Sequence, residues 1–125
     1  MTRTFALSSA AGEASHHLAG RVFDMNRVDL EVGLHQTEEW IFQNDSTLPH
    51  PVHVHGCHFQ IQSRAGGRGT VFPHEGGWKD TALVMPGETV AVRIRFDAYP
   101  GLFLLHCHNL QHEDLGMMLN VAVVE

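Results

Sequence analysis

The run His106-Cys107-His108, with His112 five residues and Met117 ten residues beyond the cysteine, gathers a thiolate, several imidazoles and a thioether in one short stretch. Thiolate, imidazole and a weak thioether are the ligand set of a mononuclear blue-copper centre: the soft sulfurs suit copper(I), and the imidazoles suit either oxidation state. Such a centre needs one more imidazole from elsewhere, and His50-Pro51-Val52-His53-Val54-His55 can supply it. Seven of the 11 histidines fall between His50 and His58 or between His106 and His112. That clustering favours metal binding over chance.

Strand geometry divides these donors into two groups. Side chains alternate between faces in an extended segment, so His106 and His108 point one way and Cys107 the other. The same parity groups His53 with His55 and sets His50 against them, with Pro51 the one place where regular alternation could fail. His50, Cys107, His112 and Met117 then form a site that accepts one electron at a time. His53, His55, His106 and His108 form a second, all-imidazole group. Residues two apart on a strand differ by roughly 6.7 Å of rise, so each His-x-His pair reaches two neighbouring metals and does not chelate one. A zinc site is the generic alternative for a histidine cluster, but zinc leaves Cys107 and Met117 unexplained.

The elements that must position these residues read as strands. Thr89 to Phe96 alternates strictly, placing Val90, Val92, Ile94 and Phe96 on a core face and both arginines in solvent. Leu119, Val121 and Val123 repeat the pattern. Glu38 to Gln43, Cys57 to Gln62, Thr81 to Val84 and Gly101 to His106 are further strands, divided by turn signals at Asn44-Asp45-Ser46, Ala65-Gly66-Gly67 and Pro86-Gly87. Short strands at this spacing predict an all-β sandwich, with one helical turn expected at Asn109 to Asp114 in the ligand loop. A length of 125 residues fits one domain. The net charge of −6 gives no basic footprint, which sets nucleic acid aside as a partner. No apolar stretch approaches the length of a membrane span, and Phe5-Ala11 is too short and serine-rich for a signal peptide. With Cys107 assigned to metal, Cys57 is left without a disulfide partner.

The two ligand segments resemble the paired copper motifs of the multicopper oxidase family, specifically its C-terminal cupredoxin domain. HPVHVHG matches H-P-x-H-x-H-G, and HCHNLQHEDLGMM matches H-C-H-x-x-x-H-x-x-x-x-M without a gap. Phe23-Asp24-Met25-Asn26-Arg27, Glu39-Trp40 and Gly77-Trp78-Lys79-Asp80-Thr81 are also similar to bacterial laccase-like and cuprous oxidases. The resemblance implies a cupredoxin-like Greek-key β-sandwich over residues 1–125, with the upstream cupredoxin domain or domains missing from this chain. It implies type 1 copper on His50, Cys107, His112 and Met117, type 2 copper on His53, and type 3 copper on His55, His106 and His108. Electrons would pass from the type 1 site through Cys107 to His106 and His108, toward a trinuclear cluster that reduces dioxygen to water. Another domain or subunit would supply four further histidines, so the chain alone would be inactive. The reductant would be a phenol or a metal ion, and the location periplasmic or extracellular.

Several residues carry weaker readings. Glu113, directly after His112, is a candidate proton relay by the same resemblance, and Asp114 a candidate substrate-side carboxylate; two solvated loop carboxylates are the alternative. Asp80 either accepts a hydrogen bond from a ligand histidine or only fixes its loop. Cys57 shares parity with Phe59 and Ile61 and is expected to be a buried, inert thiol. His16, His17, His35 and His74 carry no motif and are expected at the surface. The competing functional class is a mononuclear blue-copper electron carrier, which accounts for His50, Cys107, His112 and Met117 but gives the remaining motif histidines no role.

Overall fold

The computed structural model describes residues 2–9, 16–18, 28–46, 49–67, 71, 75–97, 99–107 and 118–125, with only the main chain at 8, 9, 16–18, 106, 107 and 118. Among these residues there are strands and no α-helix. The strands are β1 (Thr2–Ser9), β2 (His16–Leu18), β3 (Leu30–Gly33), β4 (Thr37–Asn44), β5 (His50–Val54), β6 (Phe59–Ala65), β7 (Thr81–Val84), β8 (Thr89–Arg95), β9 (Gly101–Cys107) and β10 (Met118–Val124). They form two five-stranded sheets, ordered β2-β1-β4-β8-β6 and β3-β10-β9-β5-β7. From β3 to β9 every successive strand lies in the opposite sheet, so each connection crosses the sandwich. The fold is the all-β cupredoxin-like sandwich that the strand pattern and the family resemblance implied.

Alternation builds the core. In β8, Val90, Val92 and Ile94 are buried while Arg93 and Arg95 are exposed. In β4 the inward positions are Glu38, Trp40, Phe42 and Asn44. Trp40 packs 5.1 Å from Phe5 and 6.0 Å from Phe96 between ring centroids, and its indole N–H donates to Glu38 at 2.9 Å. Arg3 also donates to Glu38, at 2.6 Å, so the inward carboxylate is paired. The facing sheet contributes Val52, Val54, Leu105 and Leu119, all at most 1% exposed. Full burial of such a side chain stabilises by about 1.5–3 kcal/mol.

The structure moves some boundaries. The strand expected from Cys57 begins at Phe59, because residues 55 and 56 turn and Phe59 instead pairs with Lys79 through two main-chain bonds of 2.7 Å. A register shift between Ile61 and Ser63 turns Arg64 inward, where it is buried with Glu75 and Glu88. Strands β2 and β3 are too short to produce a readable period, and pairing to β1 and β10 defines them. The helical turn expected at Asn109 to Asp114 lies outside the described residues, as does His74.

Strand β9 offers a direct test of this sandwich, since Leu105 is fully buried and Leu102 is 57% exposed. Leu105→Ala should cost about 2–5 kcal/mol of unfolding free energy, and Leu102→Ala less than about 0.5 kcal/mol. Urea titration reads both; equal losses would contradict the assigned faces.

Candidate metal centre

The two histidine motifs are neighbours in one sheet. Strand β5 runs antiparallel to β7 on one side and β9 on the other, with Val52 opposite Cys107, His53 opposite His106 and Val54 opposite Leu105. Directly opposed residues of an antiparallel pair share a face. Position 107 therefore lies on the core face with Val52, and position 106 on the outer face with His53. Alternation survives Pro51: His50, Val52 and Val54 are buried, whereas Pro51 and His53 are only partly so. Described pairing to β9 begins at Val52, one residue past the proline, consistent with the tolerance of proline near a strand start.

His50 is fully buried, and its Nε2 lies 2.7 Å from Ser46 Oγ. Ser46 in turn donates to Asn44 Oδ1, through Oγ at 2.7 Å and through its main-chain N–H at 3.0 Å. The second of these bonds makes an Asx-turn. On the outer face, His53 Nδ1 lies 2.9 Å from the Asp80 carbonyl oxygen and 3.1 Å from Thr81 Oγ1. A carbonyl cannot donate, so His53 Nδ1 carries the hydrogen and Nε2 the lone pair. The Asp80 carboxylate is 3.9 Å from that nitrogen, outside hydrogen-bond range. Asp80 thus orients His53 through its main chain, a role no side-chain pattern announces.

His55 leaves β5 in a turn, which brings its ring to 4.6 Å from that of His53, edge to face. The two rings are thus closer than the rise between alternate strand residues. Gly56 makes the turn possible: its φ is +82°, and a Cβ there would lie 2.4 Å from the Phe103 ring. An open cavity of about 760 Å³ adjoins these rings, bordered by His53, His55, Trp78, Asp80 and Tyr99. Trp78 and Tyr99 are more than 60% exposed there. Beside them the Cys57 thiol is partly buried, and burial, assisted by the Asp80 charge, pushes its pKa up to about 12. Cys57 precedes β6, so the strand parity expected for it does not apply, and its thiol is half-buried rather than buried. Asp97, also on the cavity rim, is held below the ordinary carboxylate range by a hydrogen bond from His35, with Arg95 assisting.

Of the expected ligands, the structure describes His50, His53 and His55 with their side chains, and His106 and Cys107 by register alone. His108, His112 and Met117 lie outside the described residues, as do Glu113 and Asp114. Among the described residues, no group of three or more His, Cys, Asp or Glu side chains is arranged to hold a metal ion.

The sequence profile of the multicopper oxidases matches residues 2–125. The chain belongs to the multicopper oxidase family. It is 40% identical over 113 residues to a laccase of Haloferax volcanii, covering 90% of this chain and 20% of that protein. It is 38% identical over 96 residues to a bilirubin oxidase of Albifimbria verrucaria, covering 74% of this chain and 17% of the relative. The crystal structure of a multi-copper oxidase from Pediococcus acidilactici superimposes with a TM-score of 0.91 at 37% identity, over 100% of this chain and 26% of that one. This multicopper oxidase chain thus spans about a sixth to a quarter of the length of such relatives.

Copper, the metal of this family, suits the described donors. His50 and His53 each bond a protein group through one ring nitrogen, the support that orients ligand imidazoles and sets their tautomer. Sequence reasoning missed Asn44, Ser46 and Thr81 as supports; Asn44-Asp45-Ser46 read only as a turn.

Gly56 and Gly77 share a positive φ, +82° and +87°, but a Cβ at Gly77 would meet nothing within 4 Å. Gly77→Ala should therefore cost only the backbone penalty, about 1–2 kcal/mol. Gly56→Ala should exceed it by about 1–3 kcal/mol of overpacking against Phe103. Equal losses in denaturant titrations would show that Phe103 yields freely.

Proposed function

We propose that residues 1–125 form the single C-terminal cupredoxin domain of a multicopper oxidase, carrying a complete type 1 copper site and half of a trinuclear cluster. The observation that supports this most is the β5–β9 register, with Val52 opposite Cys107 and His53 opposite His106. On this reading His50, Cys107, His112 and Met117 hold the type 1 copper, His53 the type 2 copper, and His55, His106 and His108 the type 3 pair. Bound copper would supply one-electron chemistry, withdrawing electrons from a phenolic or metal-ion reductant and delivering them to dioxygen, which becomes water.

The protein's part is to hold and connect. Cys107 is joined to His106 and His108 by peptide bonds, so the two sites share a covalent path. The fully buried His50 ring excludes water on the core side. Glu113 is the carboxyl that relays protons to dioxygen, and Asp114 the carboxylate on the substrate side. An upstream domain or another subunit supplies the four further histidines, and the oxidase works in the periplasm or outside the cell.

Copper(II) added to the copper-free chain should give the intense blue thiolate-to-copper band, and Cys107→Ser should abolish it with the fold intact. A colourless copper complex with an intact Cys107 thiol would overturn the type 1 assignment. Monomer alone should not consume dioxygen; oxygen-electrode turnover by it would refute the need for a partner. In the complete oxidase, Glu113→Gln should slow reoxidation and leave the blue band in place, and unchanged stopped-flow reoxidation would leave Glu113 without a role.

A further inference from the structure

We propose that Ser46 and Asn44 are positioning residues that fix which nitrogen of His50 carries the proton, and so which nitrogen faces a metal; this rests on His50 being a copper ligand. The protons along a buried hydrogen-bond chain can be counted. Asn44 Nδ2 donates to the Val84 carbonyl at 3.0 Å, so the amide is oriented with Oδ1 toward Ser46. Oδ1 has no proton of its own, and it accepts the Ser46 main-chain N–H at 3.0 Å. The 2.7 Å contact between Ser46 Oγ and Asn44 Oδ1 must then use the single hydroxyl proton of Ser46. Toward His50 Nε2, also at 2.7 Å, Ser46 Oγ acts as the acceptor. Nε2 therefore carries hydrogen, and in the neutral ring the lone pair resides on Nδ1.

This tautomer is the reverse of that at His53, where the Asp80 carbonyl fixes the hydrogen on Nδ1. Strand β5 thus presents two histidines, three positions apart and on opposite faces, through different nitrogens. The anchor of the His50 tautomer is rigid. Asn44 is 1% exposed, its N–H donates to Glu88 O at 3.0 Å, and its carbonyl accepts from Gly87 at 2.9 Å. The Glu88 carboxylate is itself fully buried, bonded by Arg64 Nη1 at 2.5 Å and by the Met85 N–H at 3.2 Å. Arg64 also donates to Leu83 O at 2.7 Å and to Glu75 Oε1 at 3.1 Å. A buried cluster of charges therefore holds the amide that holds the hydroxyl that sets the ring. Outer-shell partners of ligand histidines typically contribute 10–100-fold to metal affinity.

The test is a long-range proton–nitrogen correlation spectrum of the histidine rings in the copper-free 125-residue chain, in alkaline buffer where imidazoles are neutral. His50 should be protonated at Nε2 and His53 at Nδ1. Ser46→Ala should give a mixed or inverted His50 tautomer and weaken copper(II) binding about tenfold or more, and Ser46→Thr, which keeps the hydroxyl, should restore both. A wild-type His50 protonated at Nδ1, or a Ser46→Ala chain with an unchanged His50 tautomer, would overturn the proposal. Should Ser46→Ala fail to fold, the wild-type and Ser46→Thr spectra decide it. A blue band that survives His50→Ala would refute His50 as a copper ligand, a failure distinct from that of the hydrogen-bond chain, which the copper-free spectra read directly.

Discussion

Asn44 is the point at which the two sheets, the Pro86-Gly87 turn and the first histidine motif are tied together. It ends β4 in one sheet, donates to Val84 of β7 in the other, exchanges main-chain bonds with Gly87 and Glu88, and accepts both bonds from Ser46. The apolar core drives the sheets together, but that attraction has no direction and cannot set the position of the segment that leads into β5. Directional bonds buried away from water can. Each costs about 1–3 kcal/mol when one partner is removed, so the arrangement resists slippage. The Pro86-Gly87 turn fits the same scheme: Glu88 N–H bonds Met85 O at 3.0 Å with Gly87 at φ +74°, the pattern of a type II turn with proline leading.

Downstream of this anchor, strand alternation does the sorting. One side of β5 presents His50 to a dry interior with Val52 and Val54, all within 1% of full burial. The other presents His53, and after the Gly56 turn His55, to an open cavity. A buried imidazole on one face and two imidazoles beside an open cavity on the other are different environments, presented by one strand and the turn that follows it. The parallel with β9 is positional, since Cys107 and His106 occupy consecutive, oppositely facing positions opposite Val52 and His53.

The histidine motifs and the strong strands were legible in the sequence because both are local. The placement of His50 and His53 on opposite faces needs only strand parity, and β8 reads directly from Thr89 to Arg95 because one face is apolar and the other charged. The supporting shell was not legible, because its partners are distant in the chain. Nothing around Asn44 indicates Val84, and nothing around His53 indicates the carbonyl of Asp80. Arg64 is a charged residue in a strand, and only the register shift after Ile61 turns it toward Glu75 and Glu88. The carboxylate role considered for Asp80 fell to its main chain for a similar reason: side-chain chemistry is visible in a sequence, whereas the direction of the Asp80 carbonyl, which also accepts the Val54 N–H at 3.2 Å, is set by the fold.

On the proposed assignment, one strand pair supplies a sulfur-containing copper site distinct from its all-imidazole neighbour. Copper K-edge X-ray absorption of the chain loaded with one equivalent of copper tests it most directly. The first shell should hold one thiolate sulfur and two imidazole nitrogens, and the sulfur should be lost in Cys107→Ser. A shell of nitrogen and oxygen alone, in a folded chain with its Cys107 thiol intact, would contradict it.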